Sequence, residues 1–178
     1  GLNIKENETF LYFSELFHAQ QLCTPELICV SDDKTIYIQE DFGAVCLLDK
    51  LEEQGFTDEV YRLYQQSLAE LARLQVKGHQ VIDYSKCLTN AEFGKEAILS
   101  DLLYFKYYFL DALARPYDKQ KLLNDFDALS NYLAHTEYKY FMFRDFQSRN
   151  IMVTPDNKVH FIDYQGGMNG APQYDAAS

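Results

Sequence analysis

Apolar and polar positions follow two rhythms along this chain, and the rhythm changes near residue 135. From Asn7 to about Gln20, Phe10, Phe13, Leu16 and Phe17 recur at three- and four-residue steps, which predicts an amphipathic helix. "ELICV" and "TIYIQE" are short runs of strand formers around the polar turn "SDDK", a hairpin signal. "DFG" at 41–43 breaks the second strand, and residues 44–54 read as a short helix closed by Gly55. In "TDEVYRLYQQSLAELARLQVKG" the stripe is Val60, Tyr64, Ser67/Leu68, Leu71 and Leu74, with Thr57 or Asp58 as cap and Gly78 as the expected end. Two more helices are predicted, over Glu92 to Ala114 before Pro116, and over about Asp118 to Ala134. The second carries Leu122, Phe126, Leu129 and Leu133 on one face.

After His135 the period shortens. "KYFMF", "NIMVT" and "KVHFID" are short β runs, and "TPDNK" between the last two is a hairpin turn. "QGGMNGAP" reads as a connector whose glycines supply positive φ. It fits neither G-x-G-x-x-G nor G-x-x-x-x-G-K-[ST], so it is not expected to cradle phosphate. Helices and antiparallel strands are segregated, which predicts an α+β fold rather than a wound parallel sheet. "EDFG" marks the expected boundary between a small first part, 1–42, and a mainly helical second part, 43–178.

Composition narrows the function. The chain has 178 residues, enough for one domain or two small lobes sharing a core. With 14 Tyr, 13 Phe and no Trp, that core should be built on rings, and "YFKYYF" at 104–109 is expected to belong to it, a substrate-stacking surface being the alternative. A net charge of −11 argues against nucleic acid and anionic membrane as partners; it leans mildly toward a cationic substrate or bound metal ions, though a solvated acidic surface that aids solubility is the plainer reading. Cys23, Cys29, Cys46 and Cys87 form no C-x-x-C pair and have no histidine at ligand spacing, which argues against zinc. They read as reduced, mostly buried thiols of a cytoplasmic protein. The greasiest stretch, "LLYFKYYFLDALA", is broken by Lys106 and Asp111 and is too short to span a bilayer. No signal peptide is expected. His18, His79, His135 and His160 are scattered, and no catalytic part is expected of them.

The chemistry concentrates in "FMFRDFQSRNIMVTPDNKVHFIDYQGG", 141–167. Asp145 follows one apolar strand, Asn150 begins the next, and Asp163 closes the hairpin. A turn at Pro155 to Asn157 sets Asn150 opposite Asp163 at the open end, with Asp145 in the loop entering it. These residues are either ordinary turn formers or a set converging on a charged ligand. Two carboxylates and an amide on a rigid frame suit Mg²⁺ together with one acid/base group.

"FRDFQSRN" resembles the catalytic loop H-R-D-x-x-x-x-N of the protein-kinase-like fold, and "FIDYQ" resembles its metal-binding Asp motif. The interval from Asp163 to Asp175 is too short for an activation loop. Such gaps mark the small-molecule branch, the aminoglycoside phosphotransferase family with choline, homoserine and amino-sugar kinases. "RDFQSRN…IDYQGG…YDAAS" is most similar to bacterial phosphotransferases related to cell-wall amino-sugar kinases. The resemblance implies a bilobal fold: an incomplete N-lobe over 1–42, and over 43–178 a helical C-lobe with a small catalytic β-hairpin, truncated at its end.

The same resemblance implies ATP and Mg²⁺ as cofactors and assigns roles. Asp145 takes the proton of the substrate hydroxyl, Asn150 and Asp163 hold Mg²⁺, and Arg149 steadies the γ-phosphate. Asp175 braces the catalytic loop, and Phe143 replaces the usual His. "YIQEDFG" resembles the last N-lobe strand and hinge, with Gln39 as gatekeeper and the backbone of Glu40 and Phe42 on adenine. Glu6 is similar to the glutamate that pairs with the phosphate-binding Lys, and Glu8 competes for the role. That Lys and the Gly-rich loop are expected before residue 1, since Lys5 is too close to Glu6. The helices completing the substrate pocket are expected after Ser178. The implied activity is transfer of a γ-phosphate to a hydroxyl of a small molecule, a sugar or amino sugar, by the parent protein, with this stretch alone inactive. The alternative is a kinase-like nucleotide-binding or adaptor domain without transfer.

Overall fold

The computed structural model describes residues 4–178. Helix α1 (Ile4–Ala19) starts three residues before the expected point and turns Phe10, Phe13 and Phe17 inward. Strands β1 (Leu27–Val30) and β2 (Tyr37–Gln39) form the expected antiparallel hairpin, with an irregularity between Leu27 and Cys29. Helix α2 (Leu47–Gln54) opens where the Asp49 carboxylate accepts from the Cys46 N–H at 2.8 Å, and it closes at Gly55, φ 65°. The positive φ there is one that glycine adopts without steric cost.

Helix α3 (Asp58–Val81) is capped by Thr57, whose Oγ1 accepts from the Val60 N–H at 3.3 Å. It does not end at Gly78. A Cβ on Gly78 would lie 3.2 Å from the Phe17 ring and 3.6 Å from Cβ of Phe141. The glycine is therefore a packing position that lets the helix press against two core rings. Helix α4 (Lys95–Phe105) starts later than expected, because Glu92 bridges Asn169 and the Phe93 N–H donates to the Asn169 carbonyl at 2.8 Å. It widens into a π-helical turn, Lys106–Asp111. Helix α5 (Lys119–Ala134) begins at Asp118, whose carboxylate accepts from the N–H groups of Gln120 and Lys121.

The core is built on rings, and it joins α1 to α3 and to the strands after residue 139 without interruption. Phe13, Phe17, Phe141, Phe143, Phe161 and Tyr164 are all fully inaccessible. Phe141 meets both Phe13 and Phe17 edge-on, with centroids 5.4 and 5.2 Å apart. The rings of 104–109 do not belong to this core: Tyr104, Phe105, Tyr107, Tyr108 and Phe109 are exposed. They stack along their own helix instead, Tyr104 on Tyr108 at 4.2 Å and Phe105 on Phe109 at 5.2 Å.

Strand β3 (Tyr140–Met142) pairs with β6 (Met168–Gly170), and β4 (Ile151–Val153) pairs with β5 (Val159–Phe161), both antiparallel. β6 lies inside the stretch expected to be a glycine connector. None of Gly166, Gly167 and Gly170 has positive φ. Two of them are there for close approach: a Cβ on Gly167 would fall 2.3 Å from the Phe141 ring, and one on Gly170 would fall 2.7 Å from Sδ of Met142. Helix α6 (Pro172–Ala177) ends the description, with Pro in its first turn. The four cysteines are free and less buried than expected, since only Cys87 is buried and Cys29 is exposed. No helix among the described residues is long and apolar enough to cross a membrane.

Candidate active site

The loop after β3 is held from below. Asp175 of α6 is almost wholly buried, and its carboxylate accepts from the Phe143 and Arg144 N–H groups and from Nε2 of Gln75, each at 2.8 Å. Burial pushes the Asp175 carboxyl above the usual range, and the three donors pull it back toward the ionised form. Arg144 itself has φ 78°, a left-handed conformation that costs a side-chain-bearing residue energy and persists only where its surroundings hold it. Its guanidinium donates to Asp101 of α4 at 2.7 Å, so Asp101 is paired rather than free.

Asp145 follows directly and is half-buried. A Cβ on Gly166 would lie 3.2 Å from Oδ2 of Asp145, so the glycine leaves room beside this carboxylate. Desolvation raises the Asp145 pKa, the Asp163 charge raises it further, and Arg144 and Arg149 partly offset both. Arg149 is exposed in the middle of a short 3₁₀ turn, Ser148–Asn150.

Asn150 ties the site together. Its Nδ2 donates to the Asp145 carbonyl at 2.9 Å and to the Asp163 carboxylate at 3.3 Å. The hairpin register differs from the expected one by a residue. Ile151 pairs with Phe161, and Asn150 stands opposite Ile162, whose N–H donates to the Asn150 carbonyl at 3.1 Å. A regular strand would then turn the Asp163 side chain to the other face. Asp163 has φ 68°, which breaks the alternation and brings its carboxylate back to Asn150. Sequence periodicity could not show this, because Asp163 is one of few non-glycine residues that leave the common backbone regions here.

A cleft of about 360 Å³ opens at this point. Glu6, Asn7 and Phe10 of α1, Tyr37 and Gln39 of β2, and Asn150, Asp163 and Gln165 line it. The structure thus brings together Glu6, Gln39, Asn150 and Asp163 from three separate stretches of chain. Gln165, absent from the sequence reading, links two of them, since its Nε2 donates to Asp163 at 2.9 Å and to Glu6 at 3.4 Å. Its only sequence signal is its place two residues after Asp163. Glu8 lies elsewhere, paired with Lys34 at 3.3 Å. A larger hollow of about 500 Å³ lies by Glu8, Tyr12, Lys34 and Lys86, but it gathers no comparable set of carboxylate and amide groups.

The hinge residues divide. Gln39 lines the cleft, and its Oε1 is buried without a hydrogen-bond partner among the described residues. The Glu40 N–H is used internally, donating to the Glu26 carbonyl at 2.9 Å, so only its carbonyl is left to offer a ligand. Phe42 is buried, with its ring 3.9 Å from that of His160, and it lines a different hollow with Gly43 and Val45.

The profile of the Phosphotransferase enzyme family, APH, matches residues 5–178. The chain belongs to that family. No curated protein matches it. For an APH chain the kinase-like fold follows, and the mixed helical and antiparallel architecture agrees with it. The APH match covers both the α1–β2 segment and the β4–β5 hairpin, so the cleft lies wholly inside the matched region.

A metal can be weighed against the donor set. No group of three or more His, Cys, Asp and Glu side chains among the described residues is placed to hold one. Mg²⁺ does not require such a cage, because it keeps several waters and is bound through one or two carboxylates plus substrate phosphates. Asp163 supplies an exposed carboxylate. Asn150, with its nitrogen committed to Asp145 and Asp163, keeps Oδ1 as an acceptor. The residues present fit the ion.

Proposed function

We propose that this chain carries the catalytic centre of an ATP- and Mg²⁺-dependent phosphotransferase acting on a hydroxyl of a small molecule, a sugar or amino sugar. The observation that carries the reading is the double hydrogen bond of Asn150, to the backbone of Asp145 and to the carboxylate of Asp163, at the edge of a cleft shared with Glu6 and Gln39. That cleft falls within the range of small-molecule sites, roughly 300–1000 Å³.

Asp163 and Oδ1 of Asn150 would hold Mg²⁺, which when bound neutralises phosphate charge. Asp145 accepts the proton of the acceptor hydroxyl as the new oxygen–phosphorus bond forms and the bond to the leaving ADP oxygen breaks. Its raised pKa suits a base better than that of a solvated aspartate. Asp175 keeps the loop carrying Asp145 in place through the Phe143 and Arg144 N–H groups. Arg149 stands exposed beside Asp145, where it steadies the transferring phosphate. Gln39, through its buried Oε1, and the Glu40 carbonyl would face the base of the nucleotide. A phosphotransferase of this kind works on the ATP of the cytoplasm.

The acceptor class rests on the resemblance of "RDFQSRN…IDYQGG…YDAAS" to amino-sugar kinase-type phosphotransferases. Phosphoryl transfer from Mg·ATP to a panel of amino sugars, aminoglycosides, choline and homoserine, measured on the full protein, tests it. Asp145→Asn should lower transfer by ~10²–10⁴-fold while ATP affinity holds. Undiminished turnover in that variant refutes the assignment.

A further inference from the structure

Helix α1 meets the segment carrying Asp163 along one face. Glu6, Phe10 and Ser14 are spaced by four residues and fall on the same side of the helix. Gln165 reaches Glu6, and the Tyr164 ring stacks on Phe10 with centroids 5.3 Å apart. The Tyr164 hydroxyl lies 2.6 Å from Oγ of Ser14. Both side chains are fully buried.

The direction of this last bond can be assigned. Ser14 has a single O–H, and it is spent on the Phe10 carbonyl at 2.7 Å. Tyr164 must then donate to Ser14. The result is a short relay, Tyr164 O–H to Ser14 Oγ–H to the Phe10 carbonyl, sealed among rings. A buried tyrosine hydroxyl would be costly without such a partner, whereas phenylalanine would fill the same space without needing one.

We infer that the Tyr164–Ser14 hydrogen bond is a positioning device that fixes the Asp163 carboxylate relative to α1, and so sets how tightly the cleft holds a magnesium–nucleotide complex. Asp163 adjoins Tyr164 and sits at φ 68°, a conformation that a side-chain-bearing residue keeps only when its neighbours are fixed. Its Oδ1 is bound by Gln165 and its Oδ2 by Asn150. Those two bonds are exposed. The Tyr164 bond is the buried one, and it reaches the helix that also carries Glu6. Tyr164 and Ser14 touch neither nucleotide nor metal, so they act through Asp163. This inference rests on the nucleotide reading of the cleft.

The test is calorimetric titration of the full protein, and of its Tyr164→Phe and Ser14→Ala variants, with ATP in Mg²⁺ and with ATP in a chelator. Tyr164→Phe should weaken Mg·ATP binding about 3–10-fold, the range one net hydrogen bond supplies. Metal-free ATP should bind each variant as it binds the unsubstituted protein. Ser14→Ala should give the same loss from the helix side, and the double variant should lose no more than either single one. Equal weakening of Mg·ATP and metal-free ATP would overturn the inference, since a general loosening of the fold has no reason to select the metal complex. Binding by the unsubstituted protein with no loss in Tyr164→Phe overturns this inference alone. No binding by the unsubstituted full protein overturns the nucleotide reading and this inference together.

Discussion

Two ring-rich regions of the molecule end in opposite states. Phe13, Phe17, Phe141, Phe143, Phe161 and Tyr164 come from separate stretches of chain and cover one another until none is accessible. Tyr104, Phe105, Tyr107, Tyr108 and Phe109 come from one helical stretch and stay exposed, two pairs of them stacked along the helix and a Lys106 ammonium over the Tyr107 ring. An apolar helical face shows that a surface can be covered. It does not show that anything covers it. The candidate site stands on the first region, where the backbone next to Asp145 and Asp163 is fixed by buried groups.

The sharpest way to break this contrast is to truncate one ring on each side. Phe141→Ala should cost ~3–5 kcal/mol in chemical denaturation, because it empties a dense core. Tyr108→Ala should stay within about 0.5 kcal/mol. Similar losses would show that the two regions are packed alike after all. Next in size is Asp175→Ala, which strands the Phe143 and Arg144 N–H groups and leaves Gln75 Nε2 only its bond to the Pro172 carbonyl. A buried unsatisfied group costs ~1–3 kcal/mol, so a loss of about 3 kcal/mol or more is expected.

The smallest effect is a gain. The folded-state pKa of Asp145 is raised, so the folded state binds this proton more tightly than the unfolded state does. Stability tied to the group is fully present below the unfolded pKa and falls as pH rises through the folded one. Asp145→Asn should therefore raise the melting temperature at pH 7, by roughly 1–2 °C because the group is only half-buried. The advantage should vanish below about pH 4, near the unperturbed aspartate pKa. A variant less stable than the unsubstituted chain at neutral pH would show that Asp145 is held as a structural carboxylate.

Much of this was legible in the sequence. Helix α3 from Thr57 and helix α5 from Asp118 start where their capping residues stand, because a cap is a local choice. Gly55 ends α2 for the same reason. Gly78 was read by that local rule and is instead a contact with Phe17 and Phe141, both distant in sequence. β6 escapes the sequence pattern because its glycines imitate a loop, while its partner strand β3 lies far earlier in the chain, Met142 pairing with Met168 and Tyr140 with Gly170. The site residues Asn150 and Asp163 were readable as a pair, but their register was off by one, because it depends on the φ of Asp163. Gln165, Ser14 and Gln75 carried no motif, since each matters only through a side chain it meets across the fold.

The central claim is that Asp163 and Asn150 form the metal–nucleotide end of a phosphotransferase cleft. Titration of Mg·ATP into the full protein and into its Asp163→Asn variant decides it. The account predicts saturable binding that weakens about tenfold or more in Asp163→Asn, an effect of the size seen when groups that support a metal site are removed. Equal affinity in the two proteins would contradict it.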